Sequence, residues 1–233
     1  MSMPNIAAQT LQRQILAGTY KTGQMLPGQR DLAETLGISR ASLREALSML
    51  EALGFIRSMP GKGTLVTSGR RSEPGFVGNA GKTGTAATAP SSAELQATFQ
   101  LRYVVEPAAA ALAARVINTH TTPRLWGVQA RFEDALKTVD LVSASQADLA
   151  FHRLIAELSG NPGLLQISHD FETRISHSLR LPFADHSRIW EPAEEHRVIA
   201  AAISAGDADG ARTAMQTHLL QTAARAGIAF LQP

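Results

Sequence analysis

Four residues in the second half of the chain have the types and spacing of metal ligands. Asp148 and His152 stand four positions apart, so on a helix they share one face. His196 and His218 follow from later parts of the sequence. Imidazole and carboxylate together suit a divalent ion such as Zn, Ni, Mn or Fe(II), and such a set inside a helical bundle makes a workable site. Spacing alone does not decide the matter, because a chain with seven histidines offers several such sets. Ordinary surface or core histidines fit the same positions. A second group has different chemistry. Arg40, Ser42 and Arg44 crowd the first turns of a predicted helix, with Arg30 before them and the turn Pro60-Gly61-Lys62-Gly63 after them. A guanidinium fork matches O6 and N7 of guanine in a major groove, and a small basic turn can approach a narrow minor groove.

Charge is distributed in a way that suits this second group. Residues 1–71 carry nine Lys and Arg against four Asp and Glu, giving +5; the rest carries 13 against 16, giving −3. An anionic polymer would therefore meet the first part of the chain. With no cysteine, disulfides, thiolate zinc sites and cysteine nucleophiles are excluded. The first residues lack an apolar signal core and no later stretch approaches a membrane span, so a soluble, cytoplasmic protein is expected, without a membrane partner.

The elements that must position these residues can be read from periodicity. Residues 69–92 are rich in Gly, Ser, Thr, Ala and Pro and read as a flexible linker, which separates a domain over 1–68 from one over 93–229. The piece GNAGKTG inside it lacks the first glycine of a phosphate loop, since position 76 is Phe, and no apolar strand precedes it. Before the linker, Ile6, Leu11, Ile15 and Leu16 follow a helical period. A break at Gly18 and the segment after it lead to a short helix over Arg30–Leu36, a turn at Gly37, and a helix that Ser39 can cap, running to Leu53 and stopped by Gly54. Phe55–Ser58 and Gly63–Thr67 read as two strands. Beyond the linker every segment reads as helix, over 93–118, 122–138, 143–159, 162–181, 188–205 and 207–229. The fold class expected is mainly α: a winged helix-turn-helix followed by an all-helical antiparallel bundle.

The first part resembles the DNA-binding domain of the GntR family of transcription regulators over some fifty residues. The pieces that carry the resemblance are Gly23…Leu26-Pro27, Arg30…Leu32-Ala33, Ser39-Arg40, Arg44-Glu45-Ala46-Leu47, Leu50-Glu51 and Gly61-x-Gly63. Gly28-Gln29 stands where the family usually has Ser-Glu, which exchanges a good helix cap for a weaker one. The resemblance implies DNA contacts at Arg30, Arg40, Arg44 and Gly61, with Ser39, Ser42 and Lys62 beside them, and a structural role for Glu45. The second part is similar to the FCD effector-binding domain of the FadR-like branch. The similarity rests on Leu101-Arg102…Glu106-Pro107, Asp148-Leu-Ala-Phe151-His152, Ser159-Gly160-Asn161, Glu195-His196…Ile199 and Gly206-Asp207-Ala208…Met215…His218. In its metal-containing members an Asp and three His hold one divalent ion, which implies Asp148, His152, His196 and His218 as ligands here. A carboxylate effector would complete the metal shell, with Arg102 as its cationic partner and Arg153 and Asn161 as further candidates. His120, His169, His177 and His186 match nothing and are expected at the surface.

Together these readings describe a metabolite-responsive regulator rather than an enzyme. A homodimer would set two recognition helices on a pseudo-palindromic operator, repression being the default by analogy. The rival from another class is a metal-dependent hydrolase with an accessory DNA-binding domain, since an open metal position also serves hydrolysis. No further Glu, Asp or His stands out as its general base. A third reading is an architectural DNA-binding protein whose helical part only dimerises.

Overall fold

The computed structural model describes residues 2–67 and 91–231. Two compact units emerge. The first comprises Met1–Ala89, Asp140–Val142 and Phe183–Arg188; the second comprises Pro90–Val139, Ser143–Pro182 and Ile189–Pro233. The expected linker, including its GNAGKTG piece, lies outside the described residues up to position 90. Its last two serines are the N-cap and first residue of a helix.

In the first unit α1 (Met3–Leu16), α2 (Gln29–Thr35) and α3 (Arg40–Ala52) precede an antiparallel pair, β1 (Ile56–Met59) and β2 (Gly63–Val66). The Oγ of Ser39 accepts from Ser42 N–H at 3.1 Å and starts α3. Leu43, Ala46, Leu47 and Leu50 form its buried face. Gly28 precedes α2 without any side-chain cap, the weakness that replacement of Ser by Gly implies. Ile56 pairs with Val66 and Met59 with Gly63, and Lys62 N–H donates to the Met59 carbonyl at 2.9 Å across the turn. The wing is tied back to α3 by the Glu51 carboxylate, which accepts from Ser58 Oγ at 2.8 Å.

Two local expectations need correction. The helical period of Ile6, Leu11, Ile15 and Leu16 marks α1 but not its whole inner face: Ile6 and Leu16 are 43% and 49% exposed, while Ala7, Ala8, Leu11 and Gln12 are buried. Small alanines allow closer approach to α3 than the bulkier residues beside them, and this turns the buried face around the helix axis. Gln12 is fully buried because its amide bonds are satisfied: Nε2 donates to Asp140 Oδ1 at 2.9 Å and Oε1 accepts from Val142 N–H at 3.1 Å. The stretch after Gly18 is also more than a break. Gly23 N–H donates to the Val66 carbonyl and Leu26 N–H to that of Thr64, so this segment lines the edge of β2.

After α3 the chain turns at Gly54 with φ +77°. A Cβ there would sit 2.6 Å from the Ala184 carbonyl oxygen. Gly54→Ala should therefore destabilise the protein by about 2 kcal/mol or more, combining the left-handed backbone cost with a backbone clash. Urea unfolding of the full chain measures it; an unchanged midpoint would show that the turn relaxes freely.

The second unit holds α4 (Ser92–Val116), α5 (Thr122–Lys137), all of α6 (Leu141–Leu158) but its first two residues, α7 (Pro162–Asp170), α8 (Glu172–Arg180), α9 (Glu191–Ser204) and α10 (Ala208–Ala226); a 3-10 turn (Leu181–Ala184) begins in it and ends in the first unit. Ser91 and Glu94 form a capping box at the start of α4, Asp207 caps α10, and Gly227 ends it in the left-handed region. α10 packs against α4 and α9. The buried alanines Ala109, Ala110, Ala113 and Ala114 of α4 leave room for Ala211, Met215 and Leu219, and Phe151 and Ile155 of α6 with Ile199 and Ile203 of α9 complete this core. The single helix expected over 162–181 is divided at Phe171. No glycine or proline lies between 164 and 181, so packing sets this break. No helix among the described residues is long and apolar enough to cross a membrane.

Candidate metal centre and nucleic-acid interface

Three helices of the second unit bring the expected ligands together. α6 carries Asp148 and His152 one turn apart, α9 carries His196, and α10 carries His218. Ligand nitrogens of the three histidines all lie within 4.8 Å of one another. Asp148 Oδ1 is 3.2 Å from His196 Nε2 and 3.7 Å from His152 Nε2. All four side chains are buried, with 4% exposure or less. Phe151, next to His152, stacks on the His196 ring with centroids 4.1 Å apart and planes 12° apart, which fixes that imidazole without a hydrogen bond.

Buried polar atoms ordinarily have partners, because each one left unmade costs about 1–3 kcal/mol. Asp148 Oδ1, His196 Nε2 and His218 Nε2 have no hydrogen-bond partner among the described residues. These orphaned acceptors converge on one point, and that is the donor set a divalent cation fits. The electrostatics agree. Burial, followed by the neighbouring positive groups, holds His196 well below the usual histidine range, and burial brings His218 down to about 4. Burial pushes the Asp148 carboxyl up to about 6. At neutral pH the site therefore presents imidazole lone pairs and one carboxylate, the protonation states that metal binding requires.

Behind the ligands stand four charged residues whose roles the sequence did not reveal, although Arg102, Glu106 and Glu195 lie inside matched pieces. Glu106 Oε2 is 2.9 Å from His152 Nδ1, and Glu195 Oε2 is 2.7 Å from His218 Nδ1. Each carboxylate has its own guanidinium. Arg102 Nε donates to Glu106 Oε1 at 2.7 Å; Arg225 Nη1 and Nη2 donate to Glu195 Oε1 and Oε2 at 2.6 and 2.8 Å. Burial works to raise the Glu106 carboxyl, but the Arg102 guanidinium and then His152 outweigh it and hold the group far below the ordinary carboxylate range. The sequence marks Arg102 as the cationic partner of a carboxylate effector, not as the partner of Glu106, and gives no signal for Arg225.

The three effector candidates do not come together. Arg102 is fully buried, and its Nη2 lies 3.3 Å from His152 Nε2, beside the ligand cluster. Arg153 points elsewhere. Its side chain is 55% exposed and 3.7 Å from Glu172, because the residue after His152 lies about 100° around the helix. The Oδ1 of Asn161 accepts from Gly163 N–H at 2.9 Å and caps α7, so this side chain is committed to the backbone. Of the histidines expected at the surface, His120 and His169 are exposed, and the His177 side chain lies outside the described residues. His186 is a correction: it is half-buried, 2.9 Å from the Leu53 carbonyl and packed on Phe55.

In the first unit the sequence-selected residues occupy one stretch of secondary structure. Arg30 is near the start of α2, Arg40 and Arg44 are on α3, and Gly61 and Lys62 are in the wing turn; all five are exposed. Ser39 and Ser42 are engaged with each other, with their Oγ atoms 3.0 Å apart. Glu45 is exposed, whereas Glu51 is the acid that holds the wing.

Comparison with known proteins agrees with this architecture. Residues 97–221 match the FCD domain, and residues 5–66 match the bacterial regulatory proteins of the gntR family. A protein of Escherichia coli (strain K12), named for regulation of the L-lactate dehydrogenase operon, is 36% identical over 85% of this chain and 76% of its own length. The HTH-type transcriptional regulator LutR of Bacillus subtilis (strain 168) is 27% identical over 87% of this chain and 91% of its own. Among solved structures, E. coli McbR/YncC superposes with a TM-score of 0.53 over 97% of this chain and 98% of that one, at 22% identity, a likeness of fold.

Proposed function

Because the chain belongs to the gntR family of bacterial regulatory proteins and carries an FCD domain, we propose that it is a metal-dependent repressor whose hold on DNA is modulated by a small carboxylate. The coarse part follows from the family: this is a transcription regulator that binds DNA, and the hydrolase alternative finds no support. One observation carries the finer part, namely the convergence of buried imidazole and carboxylate acceptors backed by charged residues.

The ligands would be Asp148, His152, His196 and His218. A divalent ion held by them supplies a Lewis-acidic position for an effector oxygen. Zn, Ni and Mn all suit the donors, and Zn is the first to try. Arg102 is the residue to take the second carboxylate oxygen, since its guanidinium already borders His152. The relative named for the L-lactate dehydrogenase operon makes L-lactate the first effector candidate.

On the DNA side Arg30, Arg40, Arg44 and Gly61, with Ser39, Ser42 and Lys62, form the contact set. A homodimer would place two copies of α3 in successive major grooves of a pseudo-palindromic operator. Effector binding would favour one arrangement of the dimer over another and so change the fit to both half-sites.

Fluorescence anisotropy on the DNA upstream of the chain's own operon tests this reading. Native duplex should be preferred over scrambled duplex by ~10³-fold or more, and L-lactate with Zn²⁺ should release it. Arg40→Ala should weaken native binding by about 10–100-fold with little effect on scrambled DNA, whereas Lys62→Ala should weaken both and lower the salt slope by about 1. Equal binding to both duplexes would refute the operator reading. Release by chelator but by no carboxylate would refute the effector.

A further inference from the structure

The two acidic residues behind the histidines have an assignable task. Glu106 approaches His152 at Nδ1, and Glu195 approaches His218 at Nδ1, so in both rings the same nitrogen faces a carboxylate. At His218 this contact is a hydrogen bond, whereas His152 Nδ1 lies beside Glu106 without hydrogen-bond geometry. A carboxylate is acceptor-only, which makes His218 Nδ1 the N–H of the imidazole and leaves its Nε2 with the lone pair. In His218 that Nε2 is buried and has no other hydrogen-bond partner, and it belongs to the converging set. His196 makes no hydrogen bond at either ring nitrogen, Asp148 Oδ1 lying 3.2 Å from its Nε2, and the ring is held by stacking on Phe151.

Each carboxylate must itself stay ionised while largely buried, with side-chain exposures of 11% and 14%. Arg102 and Arg225 meet that need, forming two chains of guanidinium, carboxylate and imidazole: Arg102–Glu106–His152 and Arg225–Glu195–His218. The second chain is the better defined. Arg225 grips both oxygens of Glu195 and is braced by Thr222 Oγ1 at 3.1 Å. Arg225 and Thr222 lie on the helix that carries His218, two turns and one turn further on, so α10 supplies both the ring and the clamp on its partner.

We infer that Glu195 is a positioning residue that locks His218 in the Nδ1–H tautomer and thereby selects Nε2 as its metal-binding atom, held in place by Arg225, and that Glu106 stands ready to act on His152 in the same way. This inference rests on the metal-centre reading above. Carboxylates placed behind ligating imidazoles fix ring orientation and raise ligand basicity, and their loss typically costs about 10–100-fold in metal affinity.

The test uses the full chain. Long-range ¹H–¹⁵N correlation of histidine rings in metal-free protein reads which nitrogen bears the proton, and competition with a chelator reads Zn²⁺ affinity. Wild type should show Nδ1–H at His218. Glu195→Ala should move that ring towards Nε2–H and weaken Zn²⁺ binding by about 10–100-fold. Glu195→Gln keeps an acceptor oxygen and should recover the tautomer and part of the affinity; it also serves if the alanine variant, which strands Arg225, fails to fold. Wild-type tautomer and affinity in Glu195→Gln and Glu195→Ala alike would overturn the inference. Wild-type protein that shows Nδ1–H at His218 but takes up no Zn²⁺ would refute the metal centre itself and with it the selection of a metal-binding atom.

Discussion

Asp148→Asn should lower Zn²⁺ affinity on the order of 10²–10³-fold while leaving the metal-free protein as stable as wild type or more so. The substitution preserves shape and removes only a charge and its acceptor oxygens. Structural zinc sites with four ligands yield about 10–16 kcal/mol, or about 2.5–4 kcal/mol per ligand, which sets the expected loss. Without metal the sign reverses. Asp148 is 3% exposed, and burial pushes its carboxyl up to about 6, the mark of an anion that the fold accommodates at a cost. Removing that anion relieves the cost. The measurement pairs chelator competition with thermal unfolding, with and without Zn²⁺: wild type should gain Tm on loading and Asp148→Asn should gain little. A variant that binds Zn²⁺ as wild type does would take Asp148 out of the ligand set and leave the three histidines as the whole site.

Arg102→Leu should destabilise the chain by about 3–5 kcal/mol, the range found when one member of a buried ion pair is removed and the other stays. Glu106 is the group left behind. In wild type its folded carboxyl titrates far below the unfolded value, near 4.3. Its contribution is thus present above the unfolded value and is lost only as pH falls through the folded one. Without Arg102 the burial effect is opposed by His152 alone, and the folded carboxyl rises. The variant's deficit should then be largest near neutral pH and shrink on acidification towards pH 4–5, because protonation discharges the stranded anion. Urea unfolding at pH 7.5 and pH 5, followed by far-UV circular dichroism, reads both numbers. The double variant Arg102→Leu/Glu106→Leu should recover most of the stability and none of the effector response. A single variant that stays within about 1 kcal/mol of wild type would show that Ser178, His152 or water compensates the acid.

The DNA-reading unit was largely legible in the residues themselves. Ser39, Gly54 and the Pro60–Gly63 turn are local signals, each acting within a few positions of its own backbone, so caps, stops and strand ends follow from side-chain chemistry nearby. Where that unit departed from expectation, the cause was non-local. Gln12 is buried only because Asp140 and Val142 meet its amide, and His186 only because Leu53 and Phe55 receive it, partners 128 to 133 positions away.

The same division holds in the helical unit. Sequence alone determined that Asp148 and His152 share a helix face, that His196 and His218 lie on two further helices, and that a set of this composition suits a divalent ion. Periodicity specifies which face of a helix is apolar but not which faces meet. Whether the four residues converge, and which charges stand behind them, was therefore decided by how α4, α6, α9 and α10 pack. Tertiary structure paired Glu195 with His218 and Arg225 across two helices, and Arg102 with Glu106 behind His152. It also sent Arg153 and Asn161 to other tasks, although both sit in matched stretches of sequence. The physical reason is that burying a charge is tolerable only beside its counter-charge, and that partner can lie on any helix the fold brings within about 3 Å.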